Sequence, residues 1–156
     1  MAESFRNFTA VASTGSTSEV IIVPSGNSSS SSSRDAGSVA QIHSIYISQV
    51  GTNKYKGLQR YNPKNFNSFN LYIKNTNSST NNKIYIVFDG RIVPGSPFFI
   101  EKNITLEPTQ ALCIECPNDS YDYDMESTTS TPERLNDNGE TLHITASAVL
   151  FPDANL

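Results

Sequence analysis

The sequence predicts an all-β protein: a single antiparallel β-sandwich, jelly-roll-like, of about eight strands joined by long polar loops. Three observations carry that expectation. Apolar and polar residues alternate at period two in one segment after another. Charged residues make up only 17% of the 156-residue chain, so Ser, Thr and Asn supply most of its polarity, and their short side chains compete with helix for backbone hydrogen bonds. Helix signals are confined to "TPERLNDNG", where one turn fits after Pro132.

"SFRNFTAV" is a first short strand, with Phe5, Phe8 and Val11 apolar at imperfect spacing. "SEVIIVP" gives a second over 19–23, stopped by Pro24 and Gly26. In "QIHSIYISQV", Ile42, Ser44, Tyr46 and Ser48 share one face, and His43, Ile45, Ile47 and Gln49 the other. Apolar residues on both faces predict a strand covered on both sides for part of its length. "FNLYIKN" points Phe69, Leu71 and Ile73 one way and Asn70, Tyr72 and Lys74 the other. "KIYIVFDG" is its return strand, with Ile84, Ile86 and Phe88 expected inward and Asp89-Gly90 as the next turn. "FFIEKNITL", "ALCIEC" and "TLHITASAVLF" complete the set.

The serines at 28–33 look like a linker, but residues 1–27 alone would be two strands, too few to fold by themselves. The run therefore reads as a surface-loop insertion in a single domain spanning 1–156. Two further insertions are expected near 51–67 and 117–138, with the serine loop extending over 27–38.

A net charge of -4 and a pI near 5.1 argue against nucleic acid as a partner. Lys54, Lys56, Arg60 and Lys64 interleave with Tyr55 and Tyr61, but a solvated loop explains them without a ligand. "MAESFRNFTAVAS" lacks the features of a secretory signal, and no apolar run reaches the ~18 residues of a membrane helix. A soluble protein made in the cytoplasm is expected. The Asn-x-Ser/Thr triplets at Asn7, Asn27, Asn77, Asn103 and Asn118 then carry little weight.

Each candidate for chemistry has a plainer reading. "CIEC" spells CxxC, but Cys113 and Cys116 lie in a strand pattern, where residues three apart face opposite sides, and no second pair exists to complete a zinc site. Packing residues are expected. Asp119, Asp122, Asp124 and Glu126 offer hard oxygens for Ca²⁺ but lack the EF-hand glycine and its terminal glutamate. His43 and His143 make a site only if the fold brings them together. No nucleophile elbow, P-loop or HExxH motif occurs, so no enzymatic activity, metal or cofactor is expected.

One pattern runs the length of the chain: "IIVPSG", "IHSIYISQV", "NLYIKNTNSSTNNKIYIVFDG", "ITLEPTQALCIEC" and "GETLHITASAVLF". It resembles small β-sandwich virion proteins of tailed bacteriophages, cyanophages among them. Val23-Pro24-Ser25-Gly26 and Gly139-Glu140-Thr141-Leu142, with Ala146-Ser147, carry the likeness. The serine run and the loops at 51–67 and before Pro132 depart from it. The resemblance implies a non-enzymatic structural component of a virion, docking in multiple copies on capsid, neck or tail. Its partners would be other virion proteins and further copies of itself. The competing reading is a carbohydrate- or receptor-binding sandwich module. For assembly, the contact residues expected from the long loops are Tyr55, Tyr61, Phe66, Tyr121 and Tyr123, because aromatic anchors supply much of the energy of an interface. For a sugar, Tyr121 and Tyr123 beside Asp122 and Asp124 would form one site and Tyr55 with Tyr61 a second.

Overall fold

The computed structural model describes residues 3–13, 16–26, 34–50, 67–76, 82–92, 96–116, 121–122, 133–134 and 141–152. In chain order the strands are β1 (Ser4–Ser13), β2 (Ser16–Val23), β3 (Val39–Val50), β4 (Asn67–Asn75), β5 (Lys83–Ile92) and β6 (Phe98–Ile100). They continue with β7 (Ile104–Leu106), β8 (Gln110–Cys116), β9 (Tyr121–Asp122), β10 (Glu133–Arg134) and β11 (Thr141–Phe151). One sheet has the order β1-β11-β3-β6, with β7 also on β3, and the other runs β2-β8-β4-β5. All pairings are antiparallel, and no helix occurs among the described residues. This is the predicted all-β sandwich.

The inner faces meet in one core. Leu142, Ile144, Ala146, Ala148 and Leu150 of β11 are all buried, as unbroken alternation requires. Phe69 and Leu71 of β4 face them with Leu112 and Ile114 of β8. Full burial of a side chain of this size contributes about 1.5–3 kcal/mol. The strands flanking the serine run both enter this core, through Ile22 and Val23 of β2 and Ala40 and Ile42 of β3.

The two-sided cover expected for β3 is not what its apolar residues report. Ile42, Ile45 and Ile47 are all buried in the same core. Their parity changes because β3 carries a bulge: Ser44 lies opposite Ser147, and Ile42 opposite Ala148, leaving His43 as an extra residue. The bulge also accounts for the division of "FFIEKNITL". β6 pairs with Ile45–Ile47 and β7 with Ala40–Ile42, and residues 101–103 pass the bulge between them. Eight expected segments thus become nine strands in the two sheets.

β5 departs further from its expected pattern. Ile86 packs on the core, and Ile84 lies opposite Ile73 on the inner face, but at the sheet edge it is 58% exposed rather than covered. Phe88 is 69% exposed beside Tyr85 and does not enter the core. Asp89-Gly90 does not turn the chain. It lies within β5, which continues to Ile92. The register passes from Phe69↔Gly90 to Leu71↔Val87, which fits a bulge. Asp89 adopts φ 52°, a conformation Asp tolerates, and its N–H donates to Asn70 Oδ1 at 2.8 Å. Gly90 is required beside it, because a Cβ there would lie 2.6 Å from Val87 Cγ1 and 2.8 Å from Phe69 Cζ. The helical turn expected after Pro132 is also replaced, since Glu133–Arg134 pairs with Tyr121–Asp122 as strand.

The base of the serine loop is closed by an arginine. Arg34 is 2% exposed and spends all five of its N–H donors. Nε donates to the Ser38 carbonyl and hydroxyl, each at 3.2 Å. Nη1 donates to Pro24 O at 2.7 Å and Gln110 O at 2.8 Å. Nη2 donates to Ser38 O at 2.8 Å, Leu106 O at 3.3 Å and Glu107 O at 2.7 Å. Backbone bonds from Arg34 N to Ser25 O (2.9 Å) and from Gly37 N to Gly26 O (2.8 Å) complete the neck. Residues 27–33 lie outside the described residues.

Candidate interaction surface

Two surfaces stand out among the described residues: the outer face of the four-stranded sheet, which carries a network of ionisable side chains, and the sheet edges, which carry exposed apolar ones. On the outer face, β4 and β8 side by side present Asn70, Tyr72 and Lys74 next to Ala111, Cys113 and Glu115. Tyr72 is fully buried there with Ala111 and Cys113, in a small cluster separate from the main core. Its hydroxyl donates to Glu19 Oε2 of β2, while Lys74 Nζ reaches Glu19 Oε1 at 3.2 Å. Lys83 of β5 lies 4.6 Å from the centre of the Tyr72 ring and donates to Glu115 Oε2 at 3.0 Å. Asn70 Nδ2 donates to Glu115 Oε1 at 3.0 Å.

The charges in this network sustain one another. Burial opposes ionisation of Glu19, but hydrogen bonds from Tyr72 and Lys74 and the charges of Lys74 and Lys83 outweigh it and hold the carboxyl below its usual range. Burial and the Glu19 carboxylate push the Tyr72 phenol upward. The hydrogen bond to Glu115 raises Lys83. Glu19, Tyr72 and Lys83 are each held in their resting forms, which suits a rigid face.

The cysteines divide as strand geometry requires. Cys116 joins the main core and Cys113 the Tyr72 cluster, and both are buried free thiols. Burial pushes each thiol up to about 12, so neither is a ready nucleophile or ligand. His43 and His143 are not juxtaposed. His143 is opposite Ser48, five positions along β3 from His43, about 16 Å at a strand's rise. His43 Nδ1 instead sits 3.1 Å from Asn103 Oδ1. A shallow depression of about 150 Å³ beside His43 is lined by Phe5, Arg6, Asn7, Ser147 and Ala148. Among the described residues, no group of three His, Cys, Asp or Glu side chains is placed to hold a metal ion.

Of the contact residues expected from the loops, Tyr55, Tyr61, Phe66 and Tyr123 lie outside the described residues, as do the basic segment at 54–64 and Asp119, Asp124 and Glu126. Tyr121 is described in its backbone alone, opposite Arg134. Most of the apolar exposure among the described residues lies on edge strands. Phe5 and Val11 are on β1, Ile21 on β2, Ile84, Tyr85 and Phe88 on β5, and Phe99 on β6, which leaves only Tyr46 and Val50 on an interior strand. Several are paired edge to face: Tyr85 with Phe88 at 5.1 Å and Tyr46 with Phe99 at 6.2 Å between ring centres. The signal was present in the sequence as the poor spacing of Phe5, Phe8 and Val11, which a half-covered edge permits.

No helix among the described residues is long and apolar enough to cross a membrane. No protein-family model matches the chain, and a search of curated proteins gave no significant match.

Proposed function

We propose that the chain is a non-enzymatic structural component of a bacteriophage virion, made in the host cytoplasm and docking in multiple copies on the capsid, neck or tail. The observation that carries this reading is the concentration of exposed apolar and aromatic side chains on the edge strands of a rigid sandwich. Edges present unpaired backbone groups, and apolar side chains beside them are a liability unless a neighbour covers them. The resemblance in "IIVPSG" and "GETLHITASAVLF" supplies the kind of assembly.

The test is to purify particles from an infected host and look for the chain in them by mass spectrometry. Its presence at a fixed stoichiometry to the major capsid protein supports the role, and its absence from intact particles overturns it. Replacing Tyr85 and Phe88 with serine then asks whether the β5 face is the docking surface, as does the same exchange at Tyr55 with Tyr61 and at Tyr121 with Tyr123. A glycan that raises the melting temperature of the free protein would favour the carbohydrate-binding alternative instead.

A further inference from the structure

The four sheet edges differ in how far they are protected against pairing. β2 shifts register twice, between Ser16 and Val20 and between Ile21 and Val23, and runs into Pro24. β5 shifts twice and holds Asp89 in the left-handed region. β6 and β7 are three residues each. Bulges and short length are the usual means of blunting an edge. β1 has neither. It pairs with β11 through ten consecutive residues without a shift, contains no proline, and among the described residues no strand pairs with its other side. Its single charge, Arg6, is already engaged by Asp35 at 3.2 Å.

The side chains of β1 are also arranged about a centre. Phe5, Asn7, Thr9, Val11 and Ser13 alternate on the exposed face. Phe5 is 83% exposed and Val11 53%, and they lie three residues to either side of Phe8. We propose that β1 is a self-pairing edge, joining antiparallel to β1 of a second copy about a two-fold axis at Phe8. That register sets Phe5 of each copy beside Val11 of the other, an aromatic–β-branched cross-strand pair made twice. Asn7 meets Thr9, Arg6 meets Ala10 and Glu3 meets Ser13, so no like charges face each other. Any register displaced from this centre loses both apolar pairs. The seam is about 34 Å long and, with flanking side chains, buries on the order of 1,000 Å² in total, the threshold of a specific interface. A reversible dimer is therefore expected. The inference rests on the multi-copy reading above for its purpose, while its geometry is that of the isolated chain.

Sedimentation velocity over a wide concentration range tests it. The wild-type mass should rise from the 17.1 kDa of one chain toward twice that value. Phe5→Lys combined with Val11→Lys puts like charges opposite each other at both pairs and should weaken association at least roughly tenfold. Phe5→Glu combined with Val11→Lys puts opposite charges there and should restore it. Both positions are exposed, so unchanged melting curves are expected and separate loss of pairing from loss of fold. Oxidising a mixture of Asn7→Cys and Thr9→Cys chains should crosslink the two variants to each other in preference to themselves. A wild type that stays monomeric overturns the proposal. So does a dimer that both charged variants weaken equally, or that neither affects. Presence in particles with a monomeric free chain removes the seam alone, and a dimer absent from particles removes the virion role alone.

Discussion

Arg34 and Lys83 are both cations that hold strands together, and they are neutralised by different means. Arg34 is sealed at the base of the serine loop, its charge spread over five backbone carbonyls and one hydroxyl. Lys83 stands partly in water, set over the Tyr72 ring and paired with Glu115, in a network that also holds Glu19 and Lys74. Burial lowers the Arg34 guanidinium to about 10, yet it remains charged at neutral pH because its partners are fixed dipoles in bonding distance. A carbonyl cannot be protonated away near neutral pH or removed by changing a side chain. A carboxylate can be protonated in acid, and it is removed by a single side-chain change. One cluster is thus tied to the backbone of the fold and the other to the solution around it.

The largest effect is expected from Arg34→Met. It leaves five carbonyls without their donor in a buried site, and a loss of about 3–5 kcal/mol is expected in denaturant titration. Arg34→Lys should recover only part, since one ammonium cannot reach carbonyls on several sides. A cost near zero would mean that water replaces the guanidinium without penalty. Next is Tyr72→Phe, which takes the phenol donor from Glu19 and should cost about 1–2 kcal/mol at neutral pH.

Acid separates the two clusters directly. The folded-state value of Glu19 lies below its ordinary 4.5. Its contribution is therefore present above about 4.5 and lost as pH falls through the lower folded value. The melting temperature should drop over that interval, and less steeply in Tyr72→Phe, while the Arg34 contacts do not titrate there. At the alkaline end, Lys83 is raised, so its contribution is present below its ordinary 10.5 and fades as pH climbs through the higher folded value.

Lys83→Met should cost less, at most about 1 kcal/mol, and its effect should shrink in high salt. Deleting residues 28–33 should change least, by under roughly 1 kcal/mol. With the six serines gone, Ser25, Gly26, Asn27 and Arg34 become consecutive. The existing 2.9 Å bond from Arg34 N to Ser25 O is then the closing bond of a four-residue β-turn. A large loss would show that the clasp needs the loop it closes.

The sandwich was legible because the inward residues of buried strands recur at period two, as Leu142, Ile144, Ala146, Ala148 and Leu150 do in β11. Strand limits and side-chain directions failed where a residue is added. A bulge moves parity by one, and the alternation in "QIHSIYISQV" reads as a two-faced strand as readily as a bulged one. "FDG" is likewise spelled as a turn, and only the pairing of β4 with Gly90 and Val87 shows it to be mid-strand. Arg34 was invisible for another reason. It follows a polar run in which a charged residue is unremarkable, and its partners are carbonyls, which leave no trace in the sequence. The loop tyrosines are what the sequence offers as exposed aromatics, whereas those the structure describes lie mostly on sheet margins, where a strand is half covered and its pattern blurred.

His43 has a consequence for how this chain tolerates change. Its side chain is exposed, so almost any polar replacement should be silent. Removing the position is the more telling change. The bulge acts like a dislocation in a crystal, an extra half-row that lets two correctly ordered blocks meet out of step. With His43 deleted, Ile42 directly precedes Ser44, and Ala40, Ile42, Ile45 and Ile47 fall on one face in unbroken alternation, each opposite its present partner on β11. A single-codon deletion, which would turn every later side chain of a regular strand to the wrong face, should be absorbed here, with residues 101–103 the segment that must adjust.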